Sequence, residues 1–320
     1  MAAMDVTLRP LNLGEILDRT FQLYRTHFLL FTGIASLAAA ADLLLRAAQT
    51  TGTQAIGAHH GPRLTPLLFT GIIVLIEVAV ALVVKWITLA ATAHAISSLY
   101  RGANAGVRLA YAQVWPHWFR YTVVSFCAVF VAWLPVAAIA VGVVAAIALK
   151  SRTATVLALS LLFLSVPWCV WLIVRYSLAN TVSVFEGQWP VKALERSAAL
   201  TKSRRGAIFV GLLVCGAVQG ILGFVLEMPL GFLIFLRHTF TAQHLVFAST
   251  LYLLVLRFIS NSLCIPLYGI VLTLFYYDTR VRKEGLDIEW MLESASQPNP
   301  LTSLDPRPSM TLPQAGLEPQ

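Results

Sequence analysis

Residues 119–149 read FRYTVVSFCAVFVAWLPVAAIAVGVVAAIAL, a run whose one charge, Arg120, sits at its very start. A membrane-crossing helix needs roughly 20 mostly apolar residues, and this stretch exceeds that. Five more runs resemble it: 28–45, 66–96, 155–184, 207–236 and 244–277. Hydrophobic residues make up 58% of the 320-residue chain and charged ones 12%, about half the share of a soluble domain. That balance excludes a soluble globular protein, a disordered chain and a disulfide scaffold. It predicts an all-α polytopic membrane protein with six spans over residues 28–285. The four cysteines each lie in an apolar run, form no CxxC, and read as buried small hydrophobes.

Lys and Arg near span ends set orientation. With the N-terminus inside, fourteen basic residues flank the inner side. Among them are Lys192, Arg196, Lys202, Arg204 and Arg205 after span four, and Arg280, Arg282 and Lys283 after span six. The outer side holds Arg46, Arg63, Lys150, Arg152 and Arg237. Both termini are therefore expected in the cytoplasm, and the net charge of +8 is mainly an orientation signal. The inner cations are also expected to contact anionic lipid or a partner protein, or a second copy of the chain. No segment carries a nucleic-acid-reading pattern, so nucleic acid is not an expected partner.

The segment before the first span is helical in pattern, which argues against a signal peptide. Leu13, Ile16, Leu17, Phe21, Tyr24 and Phe28 recur at helical spacing, opposite Glu15, Asp18, Arg19, Gln22 and Arg25. Asn12 followed by Glu15 is a capping-box start. Residues 1–27 are thus expected to form an amphipathic helix in the inner headgroup layer. Val107, Tyr111, Val114, Trp115 and Trp118 repeat the pattern, with Pro116 at the first turn of span three or at a kink. Val191, Leu194 and Ala198 repeat it again, with Pro190 suited to the first helical position. Residues 286–295 form a weaker candidate. The Pro-rich tail, 296–320, is expected to be disordered. Leu99-Tyr100-Arg101-Gly102, Val184-Phe185-Glu186-Gly187 and Lys283-Glu284-Gly285 each precede such a helix. This suggests either a two- or three-fold repeat or convergent stop chemistry.

Two end segments carry a resemblance. One is Leu8-Arg9-Pro10-Leu11-Asn12-Leu13-Gly14-Glu15-Ile16-Leu17-Asp18 followed by Phe21-Gln22-Leu23-Tyr24-Arg25. The other is Phe275-Tyr276-Tyr277-Asp278-Thr279-Arg280-Val281-Arg282-Lys283-Glu284-Gly285-Leu286-Asp287. Together they resemble bacterial integral membrane proteins related to the membrane domain of glycerophosphoryl diester phosphodiesterase. The resemblance implies a bacterial cytoplasmic membrane, about six spans and little chemistry. No stretch outside the spans is long enough for the phosphodiesterase barrel of about 200 residues or more.

Ionisable residues in hydrocarbon cost at least about 2.5–3.5 kcal/mol each on insertion scales, so each needs a partner or a job. Glu77 and Arg257 are expected near the midplane at similar depth. They would form a packing ion pair, line a solute or proton pathway, or meet a lipid headgroup. Lys85 lies toward the inner half, Arg175 reaches the inner surface, and Asn261 follows Arg257 by one helical turn. Gly216 and Gly220, spaced GxxxG, are expected to permit close helix approach. No GxSxG, Walker A or dinucleotide motif is present, and His59-His60 lacks a third ligand. No catalytic residue, metal or cofactor is therefore expected. The favoured function is a non-enzymatic scaffold or accessory component organising lipid or partners. The alternative is a transporter using Glu77, Arg257 and Asn261.

Overall fold

The computed structural model describes residues 9–57, 64–235, 243–286 and 288. Among them the chain is all-α, a polytopic membrane protein with six helices long and apolar enough to cross a bilayer. The elements are α1 (Leu13–Thr26), α2 (Phe28–Gly57), α3 (Leu64–Tyr100), α4 (Val107–Val114), α5 (Trp118–Ala148) and α6 (Arg152–Tyr176). They continue with α7 (Ala179–Glu186), α8 (Pro190–Thr201), α9 (Arg205–Phe235) and α10 (Gln243–Glu284). The expected amphipathic segment 286–295 lies mostly outside the described residues, and the tail 296–320 lies wholly outside them.

The central helix is α10. In its most apolar window 61% of residues are buried, against 11–28% for the other five spans. It also has the lowest mean hydropathy of the six. Both facts have one cause. In lipid the outside of a bundle must be the apolar part, so a less apolar helix is stable only inside, where polar groups find partners. It touches α1, α2, α3, α7, α8 and α9, while α5 and α6 form a hairpin packed beside them.

Glycine sets two of its contacts. A Cβ on Gly269 would stand 2.8 Å from Thr92 Cγ2, and one on Gly211 would stand 2.7 Å from Phe275 Cε2. Those distances are too short for any other residue without rearrangement. The expected Gly216/Gly220 pair plays no such part. A Cβ at Gly216 would meet only Tyr268 Oη at 3.6 Å, and one at Gly220 would meet nothing. Close packing occurs where a side chain of the neighbouring helix, Thr92 or Phe275, sits directly over the glycine, which helix spacing alone does not reveal.

Span four departs from expectation by breaking into α6 and α7 at Ser177–Leu178. Pro116 sits in a 3-10 turn, Trp115–His117, that joins α4 to α5. Pro190 takes the first turn of α8. The helix α10 runs without interruption through Pro266.

The three amphipathic segments α1, α4 and α8 lie at one end of the bundle, here called the collar face. They are docked on protein more than expected. Helix α1 buries Ile16, Thr20 and Leu23 and leaves Phe21 exposed, as is Phe28 at the start of α2. In α8 the buried stripe is Ala193, Ser197, Leu200 and Thr201, while Val191 is exposed. The expected stripe through Val191, Leu194 and Ala198 is thus rotated. Ser197 and Thr201 can face inward because both hydroxyls donate to the Arg175 carbonyl, at 3.0 and 3.2 Å.

Candidate functional site: an ion chain between spans and a latched collar

Two polar assemblies stand out, one between the spans and one at the collar face. The first begins on α2. Arg46 Nε donates to Asp42 Oδ2 at 2.9 Å, one helical turn away. Asn261 Nδ2 donates to the same oxygen at 3.3 Å. Arg46 Nη1 lies 3.8 Å from Glu77 Oε1, whose side chain is only 9% exposed. Next to this chain Arg257 stands 3.9 Å from Glu227, both about half exposed. A polar cavity of about 240 Å³ lies between them, lined by Asp42, Arg46, Gln219, Glu227, Arg257 and Asn261.

Asn261 therefore joins the site, but Glu77 and Arg257 do not pair. The partner of Glu77 is Arg46, which the charge count had assigned to the outer connection. The reason is length: α2 runs on to Gly57, so Arg46 lies on a helix, roughly 27 Å along from Phe28. Asp42 and Arg46 were the residues missed. Their i, i+4 acid–base spacing was the signal that could have found them.

Lys85 Nζ sits 5.7 Å from the ring centre of Tyr268, whose hydroxyl donates to Gln219 Oε1 at 3.0 Å. Arg175 stacks on Trp171 and Tyr176, at 5.1 and 5.5 Å, and Arg205 also meets Trp171 at 5.3 Å. All three cations lie over ring faces, a stabilising arrangement.

The collar is built on two carboxylates. Asp278 has a fully buried side chain. Its Oδ1 accepts from the Leu11 backbone N–H at 2.8 Å and from Arg282 Nε at 2.9 Å. Arg204 approaches its other oxygen at 3.3 Å. The Leu11 carbonyl in turn accepts from Arg204 Nη2 at 2.9 Å and Arg282 Nη2 at 2.7 Å. One buried acid and two guanidiniums thus grip the backbone just before α1. Asn12 N–H donates to Glu15 Oε2 at 2.8 Å, completing the start of the helix.

The second node is Glu186, at the end of α7. Arg196 Nε donates to both of its oxygens, at 3.2 and 3.0 Å. Tyr276 Oη donates to Oε1 at 3.1 Å. Arg196 also pairs with Glu284, which Arg280 Nε meets at 3.0 Å. Burial lowers the pKa of Arg196, but the Glu186 and Glu284 carboxylates outweigh it and hold the group above its ordinary value. Lys283 Nζ donates to the Ala199 carbonyl at 2.5 Å and to Leu200 at 3.2 Å, near the end of α8. Helix α4 is held separately, by Tyr111 Oη donating to the Ile34 carbonyl at 2.8 Å.

Of the basic residues expected to meet lipid or a partner, Arg196, Arg204, Arg280, Arg282 and Lys283 are thus engaged within the protein. Lys192 and Lys202 are exposed, with no hydrogen bond or ion pair among the described residues. Trp115, Trp118 and Trp189, which flank α4, α5 and α8, are exposed as well. Asp278, Glu186, Glu284 and Tyr276 were not singled out, although Asp278 sits i, i+4 from Arg282.

The three stop glycines, Gly102, Gly187 and Gly285, share left-handed backbone with φ of 69, 68 and 65°. Their aromatic neighbours converge: Phe185 meets Tyr276 at 5.1 Å and Tyr277 at 5.4 Å, and Tyr100 meets Tyr277 at 5.6 Å. Comparison of the chain with protein-family models, with curated proteins and with solved structures found no match.

Proposed function

We propose that the protein is a non-enzymatic membrane component whose collar face organises lipid, or holds a partner protein, at the cytoplasmic surface of a bacterial membrane. The observation that carries this reading is the latching of α1 and α8 by Asp278 and Glu186. Internal bonds absorb most of the collar's cations and fix short helices in place, as a presenting surface requires. What remains outward is Lys192 and Lys202, together with Arg25, Arg101 and Arg108 on or beside α1 and α4, and three exposed tryptophans, a combination suited to anionic headgroups and the interfacial layer. The resemblance of the two end segments to the phosphodiesterase membrane domain agrees with it, since those segments supply Leu11 and Asp278.

The test is lipid retention. In the double variant Lys192→Glu and Lys202→Glu, co-purifying phosphatidylglycerol should fall while the fold is kept. Retention equal to wild type removes the basis of the reading.

A second reading is favoured by the Asp42–Arg46–Glu77 chain and its polar cavity: a proton or solute pathway through the bundle. Glu77→Gln should then reduce proton flux into proteoliposomes, measured with an entrapped pH dye. Equal and background-level flux in both proteins disposes of it.

A further inference from the structure

We propose that a lateral crevice between α3, α5, α7 and α10 binds one uncharged, hydroxyl-bearing membrane lipid, with diacylglycerol as the membrane lipid of that chemistry. The inference deepens the lipid-organising reading above and rests on it for context.

The crevice has a volume of about 200 Å³. Its walls include Trp86, Leu89, Val129, Ala132 and Leu272, and no charged side chain lines it. Two lining residues, Trp133 and Ile173, are 52% and 43% exposed on the outside of the bundle, so the crevice has a rim at the lipid surface. Pockets for whole small molecules run to about 300–1,000 Å³, so this one accepts part of a larger molecule, the remainder staying in the bilayer.

Two of its lining residues carry a buried polar atom without a partner. Ser125 is 4% exposed, and its hydroxyl makes no hydrogen bond. Among the buried hydroxyls of the described residues it shares this state with Ser262 alone. Thr88, Thr92, Thr122, Ser160, Ser165, Thr273 and Thr279 all turn their hydroxyls back onto a carbonyl of their own helix. The second group is Asn180 Oδ1, buried and unbonded, although its amide donates to the Trp86 carbonyl at 3.2 Å. A buried polar group left unpaired is costly, so a ligand that satisfies both gains on binding.

The chemistry of the ligand follows from the groups. Asn180 Oδ1 can only accept, so the ligand must bring a donor. The Ser125 hydroxyl can donate a hydrogen bond to an oxygen or accept one from a donor. A hydroxyl beside an ester meets both needs. A phosphate finds no cation in this crevice, so a charged phospholipid headgroup is disfavoured there. Ser125 lies seven residues into α5 from Trp118, roughly 10 Å from the collar face, close beneath the interfacial layer where a glycerol ester sits.

The test uses the full-length protein in nanodiscs of phosphatidylcholine containing a photoactivatable diacylglycerol. Label should concentrate on peptides from residues 118–148 and 173–181. It should be competed by plain diacylglycerol and not by phosphatidylglycerol with the same chains. Ser125→Ala should lower the competed label about fivefold, the effect of one hydrogen bond. Ala128→Phe should abolish it by filling the space. If Ala128→Phe does not fold, Ser125→Ala and the competition decide. Label spread evenly over the spans, equal competition by phosphatidylglycerol, or unchanged labelling in Ser125→Ala would overturn the proposal. A crevice holding only water gives no competed label and overturns it equally. The collar reading fails separately, because Lys192→Glu with Lys202→Glu alters phospholipid retention and leaves crevice labelling intact.

Discussion

Asp278 shows how one side chain can join the two ends of a chain. Its carboxylate is buried yet meets a backbone N–H and two guanidiniums. A buried acid so paired adds little over an apolar replacement, but removing it leaves two partly buried cations uncompensated. Asp278→Ala should therefore destabilise the fold by about 3–5 kcal/mol, read from unfolding in detergent. Loss below about 1 kcal/mol would mean that Arg204 and Arg282 find water instead. Glu15 supplies a gentler test. The Asn12 backbone N–H, and then Arg9, hold its pKa below the ordinary value of 4.5. A lowered pKa means stability present above 4.5 and lost as pH falls through the folded-state value. Hydrogen exchange at the start of α1 should accelerate only in that acid range, and Glu15→Gln should remove the dependence. The capping pair was legible from spacing alone. The role of Asp278 was not, because its partners lie hundreds of residues away.

At the scale of elements, the spans could be recognised because apolar length is a local property. Their exact extents were not, since a helix ends where its last turn finds a cap or a neighbour. The three left-handed glycines mark such ends. At Gly187 an added Cβ meets Arg120 Nη1 at an ordinary 3.6 Å, so the cost of Gly187→Ala is backbone strain. It should be about 1–2 kcal/mol, measured by the same unfolding assay. Gly269→Ala and Gly211→Ala should each cost about 1–3 kcal/mol by overpacking against Thr92 and Phe275. Gly216→Ala and Gly220→Ala should be neutral or nearly so. If those two prove the damaging pair, the contacts of α9 differ from those described. The amphipathic faces of α1 and α8 were partly misjudged for a related reason. A sequence pattern marks which residues avoid water, without telling lipid from protein, and Ser197 with Thr201 becomes an inward face once the Arg175 carbonyl meets both hydroxyls.

Across the whole molecule, the least apolar span lies at the centre and the most apolar ones face outward. The collar face is proposed to be cytoplasmic. A cysteine introduced at exposed Ser203 should react with a membrane-impermeant maleimide in inverted vesicles and not in intact cells. Reaction in intact cells would reverse the orientation. Composition and hydropathy determined the all-α class and the six spans, and residue spacing the capping of α1 and the proline that opens α8. Each follows from a local requirement, either enough apolar length for hydrocarbon or satisfaction of the first turn of a helix. Only the tertiary structure decided which charges meet. Glu77 turned to Arg46 and Arg257 to Glu227, and the collar cations turned inward to Asp278, Glu186 and Glu284. An ion pair in a low-dielectric interior depends on distances of a few ångströms between separate helices. Those distances are set by helix length, glycine contacts and rotation, none of which is fixed within any one segment.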